Sequence, residues 1–192
     1  MSRRSQAAVL VALALAAASC SRSNTSTETT DTADSTSAKA AAMTPIQRGQ
    51  YLAIIGGCHD CHTPGTLYGA PDMSRALSGS ELGWKGPWGV SYASNLTPDA
   101  TTGLGSWTDE QILRALQTGV DKEGAPIAPP MPWPSYAHLT REDALAIVAY
   151  LRSIPAVIHR SPERVPPNGT PLTPVLDFPP PPAWDVPKKP AS

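Results

Sequence analysis

Cysteine is scarce in this chain: there are 3 in 192 residues, and two of them stand only three positions apart. So few cannot build the disulfide framework that staples small secreted domains, which leaves metal, redox or cofactor chemistry for the close pair. Basic charge is not in excess either. The 15 Lys and Arg face 16 Asp and Glu, for a net charge of -1, and this excludes the basic footprint of a nucleic-acid binder. Long apolar runs are missing, which excludes a multi-span membrane protein; the longest, Ala7 to Ala18, is too short to cross a bilayer comfortably. Aromatic side chains are few, with a single Phe, whereas Pro reaches 22 and Gly 14. That composition describes a compact core interrupted by many turns and flanked by segments that do not fold.

The two ends read as extensions. Residues 1–19 carry Arg3 and Arg4, the apolar run and then small residues, the three-part layout of an export signal. The stretch Leu15-Ala16-Ala17-Ala18-Ser19-Cys20 resembles a bacterial lipoprotein signal, which implies a lipid anchor on Cys20; Ala17 departs from the Leu usual there. The alternative is an ordinary cleavage site with Cys20 as a free thiol. Residues 20–42 are rich in Ser, Thr, Ala and Asp and lack any large apolar side chain, so they read as a disordered tether. Residues 158–192 form a Pro-rich tail, extended or polyproline II, in which helix is excluded. Leu172, Val175, Leu176, Phe178 and Trp184 give that tail apolar contacts with which to pack on the domain surface or to strap a partner.

Residues 43–157 form the domain, and three segments in it carry helical signals. The first runs from Thr44 to about Gly56, with Pro45 at the first helical position and Tyr51, Ile54, Ile55 and Cys58 spaced to share a face. The second begins at Thr108, where Gln111 completes a capping box, and stops at Gly119. The third starts at Thr140, with Asp143 completing a related cap, and ends before Pro155. The fold class expected is all-α, with about three main helices and long loops. Such a core is thin, and a large apolar cofactor held covalently would fill it.

Cys58-His59-Asp60-Cys61-His62 names that cofactor. Two thiols three residues apart on one helical turn can each add to a vinyl group of haem, and the histidine that follows is carried to one porphyrin face as a ligand to iron. A zinc site would need more ligands at short spacing, and outside this motif only His138 and His159 remain after Cys20. A thioredoxin-like dithiol follows a strand, whereas this one follows an amphipathic helix. The candidates for a second axial ligand are Met43, Met73, Met131, His138 and His59. Met131 ranks first because the flanking Pro129, Pro130, Pro132 and Pro134 deny the loop helix and strand and let it present the thioether stiffly. A thioether favours iron(II) and raises the reduction potential. Trp84, Trp88, Tyr92, Asn95, Arg75 and Lys85 are candidates to hold the haem propionates, or else simply core and surface residues.

Six separate segments then carry a resemblance: Arg48-Gly49-Gln50-Tyr51-Leu52, the haem motif, Asn95-Leu96-Thr97-Pro98-Asp99, Gly103-Leu104-Gly105-Ser106-Trp107, Pro130-Met131-Pro132 and Tyr150-Leu151-Arg152-Ser153. Together they resemble bacterial monohaem cytochromes c, and most of all the haem domains in cytochrome subunits of membrane-bound alcohol and aldehyde dehydrogenases. The resemblance implies a cytochrome c fold, one covalent haem c on Cys58 and Cys61, iron ligation by His62 and Met131, and packing of the first helix near Gly49 and Tyr51 against the last near Tyr150. Those subunits commonly carry three haem domains where this chain has one motif, and the insert Trp84-Lys85-Gly86-Pro87-Trp88-Gly89 departs from their pattern. The function expected is single-electron transfer between redox protein partners outside the cytoplasm, with no catalytic residue, no small-molecule substrate and no nucleic acid. A fixed subunit of an oxidoreductase complex, and a haem enzyme or sensor with an open sixth position, are the alternatives. From Met43 to Pro155, 7 basic side chains face 10 acidic ones, so no ring of lysines steers the domain to an acidic partner.

Overall fold

Three N-caps organise the helical part of the chain. In this computed structural model, which describes residues 43–180, Thr44 caps α1 (Pro45–Ile55) and Thr108 caps α3 (Asp109–Thr118), each through a closed box with Gln47 or Gln111. α5 (Arg141–Ser153) starts on the Thr140 hydroxyl, which accepts the Asp143 N–H. The expected return bond from the Asp143 carboxylate is not made. That carboxylate instead takes Arg48 of α1, Nε to Oδ1 at 2.8 Å and Nη2 to Oδ2 at 3.2 Å, because an ion pair across the helix crossing outcompetes a local cap. The expected export signal, the tether and the end of the tail, residues 1–42 and 181–192, lie outside the described residues.

α1 and α5 cross at Gly49, and the crossing is close because glycine has no side chain there. A Cβ on Gly49 would stand 1.9 Å from the Ala146 carbonyl oxygen and 2.9 Å from Tyr150 Cβ. The buried face of α1 is therefore Gly49, Leu52 and Ala53, facing Ala146, Ile147 and Tyr150. This corrects the helical face expected from spacing: Tyr51, Ile54 and Ile55 are exposed, Ile54 to 57% and Ile55 to 62%. The expected packing of Gly49 near Tyr150 is observed, whereas Tyr51 and the rest of the apolar stripe lie outside it. Ile112, Leu113 and Leu116 of α3 close the core.

Two further helices and a sheet separate the fold from the expected all-α, three-helix layout. α2 (Cys58–His62) and α4 (Trp133–Tyr136) are single short turns. β1 (Gly83–Gly86) and β2 (Gly89–Tyr92) form an antiparallel hairpin, and β3 (Val175–Asp177) from the tail adds in parallel to β1, in the order β2-β1-β3. The hairpin contains the Trp84 to Gly89 insert. Its strands are too short for an alternating pattern to show, and Gly89 supplies the positive φ of 92° that the turn requires. Tail and hairpin are joined by Phe178, whose ring centroid lies 5.9 Å from Trp84 and 5.8 Å from Trp88, and by the Lys85–Asp177 ion pair at 2.8 Å. Among the described residues no helix is long and apolar enough to cross a membrane.

Candidate functional site

Two glycines deliver the cysteine motif. Gly56 closes α1, and Gly57, at φ 70°, turns the chain left-handed so that α2 starts at once with Cys58. Cys58 and Cys61 are both free and partly buried. Burial pushes the Cys58 thiol up to about 11 and raises the Cys61 thiol too. Among the described residues no group of three His, Cys, Asp or Glu is placed to hold a metal ion.

His62 ends α2 and is only 9% exposed. Burial lowers its pKa, against an opposing contribution from its hydrogen bond to Ser94. Its Nδ1 lies 2.7 Å from the Ser94 carbonyl oxygen, which can only accept, so Nδ1 carries the proton and Nε2 keeps its lone pair. The backbone of His62 is held as well, since its carbonyl accepts the Gly79 N–H at 2.9 Å. A histidine ligand to this group should donate its Nδ1–H to a backbone carbonyl, and Ser94 supplies the one that the sequence could not name.

Beside Cys58 opens an apolar cavity of about 170 Å³. Leu52, Ile55, Leu116, Leu139 and Ile147 line it, and Tyr136 forms one wall. The residues present fit a covalently held haem: two thiols one turn apart, an imidazole at the end of that turn in the tautomer that leaves Nε2 free, and an apolar wall beside Cys58.

Of the candidates for the second axial position, Met43 and Met73 are exposed to 54% and 61%, and His138 is exposed. His59 has its Nδ1 within 2.9 Å of Thr63 Oγ1. Met131 packs against the core cluster, as does Cys58. Its loop is tied down at two points just before Met131: Ile127 N–H donates to Gly119 O at 2.8 Å, and Ser91 Oγ donates to Pro129 O at 2.5 Å. The expected stiff, helix-free course holds only up to Pro132. α4 begins at Trp133, with Pro134 in the first turn, where a missing N–H costs nothing.

Sequence reasoning missed Tyr136. Its hydroxyl donates to the Gly56 carbonyl at 2.5 Å, tying the helix after Met131 to the turn that launches the cysteine motif. Burial is the main reason its phenol is pushed up to about 12, so it remains a donor. The signal was there, a Tyr five residues after Met131, but Pro132 and Pro134 hid the helical turn that aims it. Most expected propionate holders have other partners. Asn95 gives Nδ2 to Thr102, Val157 and His159 and accepts from Thr97, Trp88 Nε1 donates to Trp84 O, Arg75 pairs with Asp72 and Glu81, and Lys85 pairs with Asp177.

Residues 46–155, more than half of the chain, match the cytochrome c family, and the chain belongs to it. Among its relatives, the cytochrome c subunit of a quinone alcohol dehydrogenase from Gluconacetobacter polyoxogenes is 38% identical over 117 residues, covering 58% of this chain and 23% of the relative. A fructose dehydrogenase cytochrome subunit from Gluconobacter japonicus is 39% identical over 113 residues, 58% of this chain and 22% of its own. A diheme c-type cytochrome from Cereibacter sphaeroides is 33% identical over 112 residues, 56% of this chain and 36% of its own. The chain thus spans about a quarter of the length of the dehydrogenase subunits it matches.

Proposed function

We propose that the chain is a single-electron carrier with one haem c, attached through Cys58 and Cys61 and ligated by His62 and Met131. The observation that carries this reading is His62, buried at the end of the turn that bears both cysteines, with Nδ1 committed to the Ser94 carbonyl so that Nε2 keeps its lone pair. Haem, when bound, supplies a one-electron iron(III)/iron(II) couple. The chain's own part is to hold the group without exchange through two thioethers, to keep His62 oriented, and to keep water away with Leu52, Leu116 and Ile147. Electrons would pass between redox proteins, with no small-molecule substrate and no catalytic side chain.

The relatives' names support a partner of the dehydrogenase kind, either as a fixed subunit of such a complex or as a free carrier. The packing of Met131 against the core favours a filled sixth position over an enzyme or sensor with an open one. Export to the periplasm and a lipid anchor on Cys20 complete the proposal, resting on the layout of residues 1–20.

Visible spectra of the haem-loaded protein, in both redox states and with carbon monoxide, test it. The expected result is a weak red charge-transfer band, indifference to carbon monoxide, and loss of both in Met131→Ala. Ready binding of carbon monoxide by the wild type would overturn the carrier reading in favour of the open-site one.

A further inference from the structure

We infer that residues 157–161, which follow α5 and lie past the end of the family match at residue 155, position the acceptor of the His62 hydrogen bond and so tune the basicity of His62. The inference rests on the haem reading above. Ser94 is held from both sides by this segment. On one side Ser161 Oγ donates to the Ala93 carbonyl at 2.7 Å, and on the other Asn95 Nδ2 donates to the carbonyls of Val157 at 2.8 Å and His159 at 3.2 Å. The Val157 N–H returns a bond to Thr97 Oγ1 at 3.1 Å.

The same segment braces the strip of chain that holds the backbone of His62. His159 bridges the Ser78 carbonyl at 2.7 Å and the Glu81 carboxylate at 3.0 Å, and Gly79 between them donates to His62 O. Packing here leaves no slack. Gly79 has φ 95°, and a Cβ on it would stand 2.3 Å from Ser161 Oγ and 2.8 Å from the Ala93 carbonyl oxygen. The Ser94 carbonyl therefore cannot swing from His62 without breaking contacts made by residues 157–161. An imidazole that shares its Nδ1–H with a well-placed acceptor is a stronger donor through Nε2 and favours iron(III). Loosening the acceptor must weaken that donation and favour iron(II).

The test uses the full haem-loaded chain as wild type, Ser161→Ala, Ser161→Thr and Lys85→Ala, with two readouts: hydrogen exchange of the His62 Nδ1–H in the reduced protein by NMR, and the midpoint potential. Ser161→Ala is expected to speed exchange about threefold or more, the lower end of one hydrogen bond's contribution. It should also raise the reduced-to-oxidised ratio at fixed poise in the same sense, a tenfold change corresponding to about 59 mV for one electron. Ser161→Thr, which keeps the hydroxyl, restores wild-type values. Lys85→Ala, which removes only the exposed Lys85–Asp177 ion pair and leaves the β1–β3 ladder in place, leaves both readouts unchanged. His159→Gln carries the same expectation should Ser161→Ala fail to fold. Unchanged exchange and potential in the folded variant would overturn the inference, as would an equal shift in Lys85→Ala. A wild type that takes up no covalent haem would instead overturn the haem reading, a result visible before any variant is made.

Discussion

Gly49→Ala puts the helix crossing to a direct test. The added Cβ would begin 1.9 Å from the Ala146 carbonyl oxygen and 2.5 Å from its carbon, whereas an ordinary C···O approach is about 3.3 Å. α1 and α5 must therefore part by about 1.4 Å at this point. Both obstructing atoms are backbone in mid-helix and cannot rotate away, so the overpacking cost falls at the upper end of its usual range, about 3 kcal/mol. Alanine's better helix propensity returns up to about 1 kcal/mol. The net expectation is a loss of about 2 kcal/mol, or a fall in Tm of roughly 7 °C for a domain of this size. Thermal unfolding followed by circular dichroism reads it, with Gln50→Ala, an exposed neighbour on the same helix, as the control. A Gly49→Ala protein as stable as the Gln50→Ala control would refute the claim that backbone contact sets the crossing.

Tyr136→Phe removes the hydroxyl that ties α4 to Gly56, and should cost about 1 kcal/mol in urea unfolding while lowering the temperature at which the proposed iron–methionine band is lost. Asp72, hydrogen-bonded to Ser74 and Arg75, has its carboxyl held down at about 2. A depressed carboxylate stabilises the folded state above its unfolded pKa and loses that contribution as pH falls toward the folded value. Tm should therefore decline from about pH 4 to pH 2, and Asp72→Ala should flatten that part of the profile. The Ser78 hydroxyl is buried without a hydrogen-bond partner, so Ser78→Ala should be neutral or stabilising by about 1 kcal/mol in the same unfolding assay, and a loss of stability would point to an unseen partner. Tyr136→Phe and Ser161→Ala share no contact, and their stability losses should add within about 0.5 kcal/mol in the double variant.

What was legible in the sequence follows from the range of each signal. Helix ends were readable because a cap is local: Thr44 with Gln47, and Thr108 with Gln111, each complete their bonds within four residues. The crossing at Gly49 near Tyr150 was legible through the family resemblance, but the apolar stripe of Tyr51, Ile54 and Ile55 did not mark the buried face, because which side of α1 is covered is decided only once α5 lies against it. The sheet was not legible either. β1 and β2 have four residues each, and β3 reaches β1 from far down the chain after a run of prolines. The cysteine motif was readable because its chemistry requires contiguous residues. Its supports, Ser94 and Tyr136, act at 32 and 80 positions' distance, and no local pattern announces a backbone acceptor.

Stability of the two candidate iron ligands is separable in this fold, because they hang on different scaffolds. His62 is fixed by Gly79 and Ser94, which in turn lean on residues 157–161; Met131 lies in a loop fixed by Gly119 and Ser91, with Tyr136 just beyond it. Ser91 belongs to β2, and the chain runs from the end of that strand straight into Ala93 and Ser94. The hairpin is therefore one place where the two scaffolds meet, and the Tyr136–Gly56 bond is another. A tail that pairs with that hairpin through β3, and bridges it again at Val90 and Val165, grips both ligand supports from one side. Changes to the tail near Ser161 should move the donor strength of His62 alone. Changes that displace the whole hairpin should move the donor strength of His62 and the seating of Met131 together, since β2 carries Ser91 and leads directly into Ser94.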